Sequence, residues 1–309
     1  MLALIAIGCS QESADSSYKK PDAPERKGWA IARRFGSTLP LYGDVESVTQ
    51  VSYVLEDKFG EIRRSKTDGK SIVYFNEAGD ATEFIDCDLG DKHIYKYDDK
   101  GNMTEMASYY SSGTLYDKSI YKYDDKGNMT EEARYNSDGS LTSKYIYKYN
   151  AAGNRTEVAV YNSDGSLNYK YTYKYDAAGN NTEAASYKSD GSLKYKIIYK
   201  YNAAGNMTED VFYDSDGTCS KDIYKYDAAG NMTEDVMYDS DGTCSKEIYK
   251  YDAAGNMTEE VWYTSDGSLI YKSIYKYDDV GNVTGWTEYE GEIMTPIREV
   301  ELKIVYRNN

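Results

Sequence analysis

Tyr224-Lys225-Tyr226-Asp227-Ala228-Ala229-Gly230-Asn231-Met232-Thr233-Glu234 is one of eight near-copies of a single phrase in this chain. The Gly-Asn steps fall at Gly101, Gly127, Gly153, Gly179, Gly205, Gly230, Gly255 and Gly281, spaced by 26 residues except for two steps of 25. A period in this range marks a repeat architecture, in which each copy is one supersecondary unit that leans on its neighbours.

Each copy holds two turns. The first is typified by Asp176-Ala177-Ala178-Gly179 and the second by Asn162-Ser163-Asp164-Gly165. Asp or Asn opening the turn and Gly closing it describe a type I turn followed by a left-handed residue, the bulged hairpin loop. A Cβ in the left-handed region costs about 1–2 kcal/mol, which is why Gly stands there. No Pro occurs from 41 to 295, as a hydrogen-bonded sheet requires. The expectation is an all-β chain whose tandem antiparallel hairpins form one long, twisted and curled meander sheet, an arc, coil or partial barrel.

Alternation sorts the faces. Leu167, Tyr169, Tyr171, Tyr173 and Tyr175 share one face, and counting through the turn adds Arg155, Glu157, Ala159 and Tyr161. The 36 Tyr against 5 Phe suit half-buried positions, because the ring is apolar and the hydroxyl stays wet. The two 25-residue steps threaten to exchange the faces, so a bulge or altered turn is expected near Cys219 and Cys244.

The flanks differ. Residues 1–9 are an apolar run ending in Gly8-Cys9, residues 10–44 a polar tether and docking segment, residues 45–90 N-terminal capping strands, 91–290 the repeats and 291–309 a C-terminal capping strand. The start resembles the end of a bacterial lipoprotein signal, the lipobox. That resemblance implies lipidation of Cys9, a membrane anchor through lipid, and a bacterial envelope address at the outer membrane or cell surface. Without it, the run is a buried strand or an unstructured terminus.

Tyr-x-Tyr-Asp-x-x-Gly-Asn with a later Ser-Asp-Gly resembles the YD repeat, also called the RHS repeat. Tyr173, Tyr175, Asp176 and Gly179 stand at its motif positions; Tyr149 and Tyr201 precede Asn in place of Asp. The resemblance spans roughly two-thirds of the chain. It implies hairpins wound into spiral sheets or shells, as on large cell-surface and toxin proteins, and it raises carbohydrate binding as a role. With few repeats and no recognisable self-cleaving core or toxin domain, a surface-displayed module is expected here.

A net charge of -16 argues against nucleic acid as partner. One His and four scattered Cys leave no zinc set or His-based triad, and no cofactor is expected. The Ser-Asp-Gly loops lack the closing bidentate Glu of a calcium loop. Catalysis needs a unique constellation, whereas the repeated Glu157, Glu183 and Glu209 are equivalent, so no enzyme is expected. The informative positions are those that vary between copies. Asp210/Phe212, Asp235/Met237 and Glu260/Trp262, followed by Trp286, pair acids with large apolar side chains, on a face expected to lie opposite the tyrosines. They form the candidate site for a glycan or a surface protein; packing under the last strand or a purely structural spacer is the alternative.

Overall fold

The computed structural model describes residues 26–31, 38–291 and 294–307, with side chains from Leu41 onward apart from 292 and 293. Cys9 and most of the tether lie outside the described residues. The strands are β1 Arg26–Ile31, β2 Thr38–Tyr42, β3 Val45–Lys58, β4 Glu61–Phe75, β5 Ala81–Asp86, β6 Lys92–Tyr97 and β7 Met103–Tyr109. There follow β8 Leu115–Tyr123, β9 Met129–Asn136, β10 Leu141–Tyr149, β11 Arg155–Asn162, β12 Leu167–Tyr175, β13 Asn181–Lys188 and β14 Leu193–Tyr201. The last are β15 Met207–Asp214, β16 Cys219–Tyr226, β17 Met232–Tyr238, β18 Cys244–Tyr251, β19 Met257–Tyr263, β20 Leu269–Tyr277, β21 Val283–Glu290 and β22 Thr295–Tyr306.

Strands β1 and β2 pair with each other; β3 to β22 follow one another in an antiparallel order that closes as a 20-stranded barrel. The expected all-β hairpin array is present, but the open meander is corrected. The segments expected to cap its two ends pair with one another, from Arg298 opposite Val54 to Tyr306 opposite Val45. Both alternate, and the pairing buries Val48, Val300 and Leu302. Pairing removes the two exposed edges that an open sheet would have to protect.

The turns follow the sequence. Gly179 N donates to Asp176 O at 3.2 Å, Asp176 N donates to Asn180 O at 3.0 Å, and Gly179 has φ 90°. The faces do not follow it entirely. Arg155 stands opposite Tyr149, but Thr156 is an extra residue and Glu157 pairs with Lys148. From there on, Val158 and Val160 share the tyrosine face, while Glu157, Ala159 and Tyr161 share the lysine face. One bulged residue exchanges every later side chain. The short repeats are also corrected where the register is defined: β15 and β16 pair without a bulge, Tyr213 opposite Cys219 and Phe212 opposite Ser220. The missing residue is the bulge of the longer copies, seen where Tyr161 faces Leu167 but Val160 faces Tyr169.

The chain forms two compact units. One comprises 91–225 with 234–246, and its buried residues include Ala107, Ala133, Val158, Val160 and Ala185. Here the second tyrosine of each motif bonds the start of the strand before it. Tyr123 donates to Met103 O, Tyr149 to Met129 O, Tyr175 to Arg155 O and Tyr201 to Asn181 O, at 2.7–2.8 Å. On the lysine face, Lys148 meets Glu157 at 2.8 Å and Lys174 meets Glu183 at 2.7 Å, exposed pairs that contribute little each.

The other unit comprises the chain up to 90, 226–233 and 247–309. It repeats the tyrosine bond at Tyr251 to Met232 O and Tyr277 to Met257 O. Two departures from the repeat accommodate the seam. Gly285 takes the place of the repeated Glu, because a Cβ there would lie 2.3 Å from Val300 O. Asn282, fully buried, accepts from Tyr42 N at 2.6 Å and donates to Tyr42 O at 3.1 Å and to Tyr306 Oη at 2.8 Å. It keeps the bond to its own turn, to Asp278 at 3.3 Å, that its counterpart Asn180 makes to Asp176 at 2.9 Å, and adds the bonds to Tyr42 and Tyr306.

Restoring the repeat phrase by Gly285→Glu is expected to lower the melting midpoint by several degrees, since backbone must move to admit the side chain. Tyr175→Phe, which keeps the ring and removes one hydroxyl bond, should cost about 1 kcal/mol in denaturant unfolding. A neutral Gly285→Glu would contradict the seam between β21 and β22.

Candidate functional site

The seven candidate side chains divide between the two units, and the extra bulged residue places them among the tyrosines. In the repeat-rich unit, Asp210 stands opposite Tyr199 and Phe212 opposite Ile197. Rings make a connected strip there. Tyr169 meets Tyr171 edge-on at 5.4 Å, Tyr171 meets Tyr195 at 6.4 Å, and Tyr195 meets Phe212 at 5.2 Å between centroids. The small side chain between two tyrosines decides this. Val160 faces Tyr145 on one side and Tyr169 on the other, Ser186 faces Tyr171 and Tyr195, and both are almost wholly covered. At Phe212 a ring rises from the intermediate strand itself and continues the strip.

Two arginines flank it. Arg134 lies over the Tyr145 ring at 4.5 Å and meets Glu132 at 2.6 Å; Arg155 lies 5.2 Å from the Tyr173 ring. Burial, then the bond to Tyr145, pushes the Tyr169 hydroxyl up to about 12. Burial, then the bond to Tyr195, raises the Tyr171 hydroxyl as well, so the strip offers half-buried rings with the Tyr169 and Tyr171 hydroxyls held protonated.

The carboxylates are engaged. Tyr224 donates to Asp210 at 2.7 Å, and Asp222 stands directly opposite Asp210. Asp235 lies close enough to add to the rise of the Tyr224 hydroxyl, behind burial and Asp210. Burial first, then the Asp210 and Asp239 charges, push Asp222 up to about 6. Met237 is half-buried on β17.

In the other unit, Trp262 stands opposite Tyr271 and is half-buried. Trp286 stands opposite Tyr275 on one side and Val300 of β22 on the other, and is only 6% exposed. Its indole N–H donates to the buried Glu288 at 3.1 Å. Trp286 is thus a packed residue of the seam, and the expectation that it offers a ring for stacking is corrected: the closing strand covers it. Tyr275 donates to Glu260 at 2.8 Å, and burial raises Glu260 while that bond lowers it. Trp262 keeps an accessible part of its ring.

Sequence reasoning passed over Tyr169, Tyr171 and Tyr195 as fold residues. The signal was present at the third residue of the strand after each second turn, which reads Tyr169, Tyr195 and Tyr271 in three copies but Ser143 and Asp117 in others. Cys87, Cys219 and Cys244 are free thiols.

No known family profile matches the chain, and no curated protein does. Among solved structures, a chain of the TcdB2-TccC3-Cdc42 structure is 11% identical with a TM-score of 0.36, the match covering 87% of this chain and 18% of that one. This chain therefore spans under a fifth of that relative. A porin-like protein from Bacteroides uniformis is 11% identical with a TM-score of 0.39, covering 84% of this chain and 98% of that one. A LolA superfamily protein from Nitrosomonas europaea is 7% identical with a TM-score of 0.24, covering 87% and 89%. Likenesses this loose leave the chain's own residues as the ground for its function.

Folding favours the protonated form of Asp222, so its contribution is full below the unfolded carboxylate value of about 3.9 and is lost as pH rises through about 6. Asp222→Asn should therefore match the native chain in thermal stability at about pH 4 and exceed it at about pH 7. A parallel loss at both pH values would remove Asp222 from the buried acid pair.

Proposed function

We propose that this protein is a non-catalytic bacterial envelope lipoprotein whose tyrosine face binds an extended polysaccharide. The observation that carries the proposal is the strip Tyr169, Tyr171, Tyr195 and Phe212, four rings in serial contact on strands β12, β14 and β15. Sugar rings present apolar C–H faces that stack on such rings, and tyrosine hydroxyls and nearby carboxylates supply hydrogen-bond partners to sugar hydroxyls. Equivalent side chains of successive copies recur at roughly 9–10 Å, two strand spacings, so a polymer meets one contact per repeat. Each contact is weak, and affinity comes from their number. Trp262 with Glu260 is a secondary contact in the other unit; Trp286 serves the fold.

The repeated Glu157, Glu183 and Glu209 occupy equivalent positions in successive copies, which favours binding over catalysis. The envelope address rests on the resemblance of residues 1–9 to a lipobox, with Cys9 as the lipidated residue. Several acyl chains anchor stably where one is marginal.

Binding should be strong for long polysaccharides and feeble for their monosaccharides, and Tyr195→Ala should weaken it about tenfold with the melting midpoint little changed. Glycan-array and calorimetric titration of the soluble chain measure this. Unaltered polymer binding by Tyr195→Ala sinks the strip as the site, and no binding to any polymer leaves the structural-spacer role. Metabolic labelling with a clickable fatty acid should give a signal that Cys9→Ala abolishes.

A further inference from the structure

Strands β3 and β4 run on past their partners. The last β3 residue paired to β22 is Val54, yet the hairpin continues to the two-residue turn Phe59-Gly60, with Lys58 opposite Glu61. Five residues of strand place the tip roughly 16 Å beyond the pairing. Every residue from Glu56 to Asp68 is exposed. Such a two-stranded ribbon has little stability of its own, and its base is braced. Arg64 Nε donates to Glu299 at 2.9 Å, its other end meets Glu301, its plane covers Tyr53 at 4.2 Å, and Arg298 meets Asp68.

The tip is stranger than the shaft. Phe59 has φ 62° and Gly60 φ 85°, so both central residues are left-handed, the geometry that Asn-Gly fills without strain. Among the described residues only Phe59 and Met294 adopt positive φ without being Gly. Phe59 makes no compensating contact: its ring is fully exposed, with a relative exposure of 107%, and Ile62 beside it is 44% exposed. A bulky apolar side chain held in a strained turn and offered wholly to solvent points to an occupant outside the chain.

The charges say which. In a chain of net charge -16, the exposed ribbon is balanced, with Lys58, Arg63, Arg64 and Lys66 against Glu56, Asp57, Glu61 and Asp68. Lys58 and Arg63 have partners only within the ribbon, Glu56 and Glu61, in exposed pairs that yield readily to another anion. The tip stands off by about two Debye lengths at physiological ionic strength, so the acidic bulk of the chain is screened from whatever the tip touches. An apolar convex tip backed by cations is the chemistry of the bilayer interface, where aromatic rings enter the acyl boundary and Lys and Arg meet headgroup phosphates.

We propose that the β3–β4 ribbon is a membrane-docking prong: Phe59 and Ile62 insert into an anionic bilayer surface while Lys58, Arg63 and Lys66 engage its phosphates. The prong acts independently of any acyl anchor and of the polysaccharide strip. The test uses the full chain carrying Cys9→Ser, so that no acyl chain contributes, and co-sedimentation with vesicles of phosphatidylglycerol and phosphatidylcholine in equal parts. Binding is expected, weakened by added salt and much weaker on pure phosphatidylcholine. Phe59→Asn suits the left-handed turn better, so it should raise or preserve the melting midpoint while weakening vesicle binding at least about tenfold. A Phe59→Trp variant should be quenched by lipids brominated in their acyl chains. The proposal is overturned if Phe59→Asn binds as the parent does, if anionic and neutral vesicles bind equally, or if neither vesicle binds.

Discussion

The bond from each motif's second tyrosine to a carbonyl at the start of the neighbouring strand is the interaction on which the array depends. The hydrogen-bonded ladder joins each strand only to its immediate neighbours. The hydroxyl of Tyr175 on β12 reaches Arg155 O on β11 and so carries the contact between these neighbours past Glu157 opposite Thr172, the last registered pair, to the open end of the hairpin. Phe fills the same space but leaves that carbonyl without its partner, and a buried acceptor left bare costs more than the bond contributes. This accounts for a chain with 36 Tyr and 5 Phe better than half-burial alone does.

The first tyrosine of the motif has a different partner. Tyr147, Tyr224 and Tyr275 donate to Glu132, Asp210 and Glu260, acids at the variable position of the preceding strand. Where that position holds Val158, no acid is present to accept, and the Tyr173 ring instead lies beneath Arg155. Variation between copies therefore does two things at once. It chooses whether a tyrosine is tethered by its hydroxyl, and it sets whether neighbouring rings meet.

Strands, turns and the tyrosine face were legible because period, Gly position and alternation are local. Face assignment beyond the first turn was not, because Thr156 looks like any strand residue until its partner is known. The bulge is a property of the pair Lys148 and Glu157, and only register reveals it. Closure was harder still: Val45–Val54 and Arg298–Tyr306 each read as a plain alternating strand, and nothing local says that they choose each other across the whole chain. The eighth copy did hold a hint. Gly285 replaces a Glu that the other copies keep in the same phrase, and a missing side chain in a regular array marks the place where another backbone comes close.

Repetition also limits where function can reside. A side chain present in every copy, such as the Tyr-x-Tyr pair or the turn Gly, is accounted for by the contact it makes in every copy. The ring strip arises where Tyr169, Tyr195 and Phe212 depart from their counterparts, and the prong arises outside the repeats altogether. Phe59 differs in kind from the other large apolar side chains. Trp286 departs from the repeat and is covered by β22, so the fold explains it. Phe59 departs from what its turn prefers and is covered by none of the described residues. Asn would fill that turn with less strain than Phe, and the proposed docking of the ribbon on a membrane surface gives the ring the contact that the turn does not.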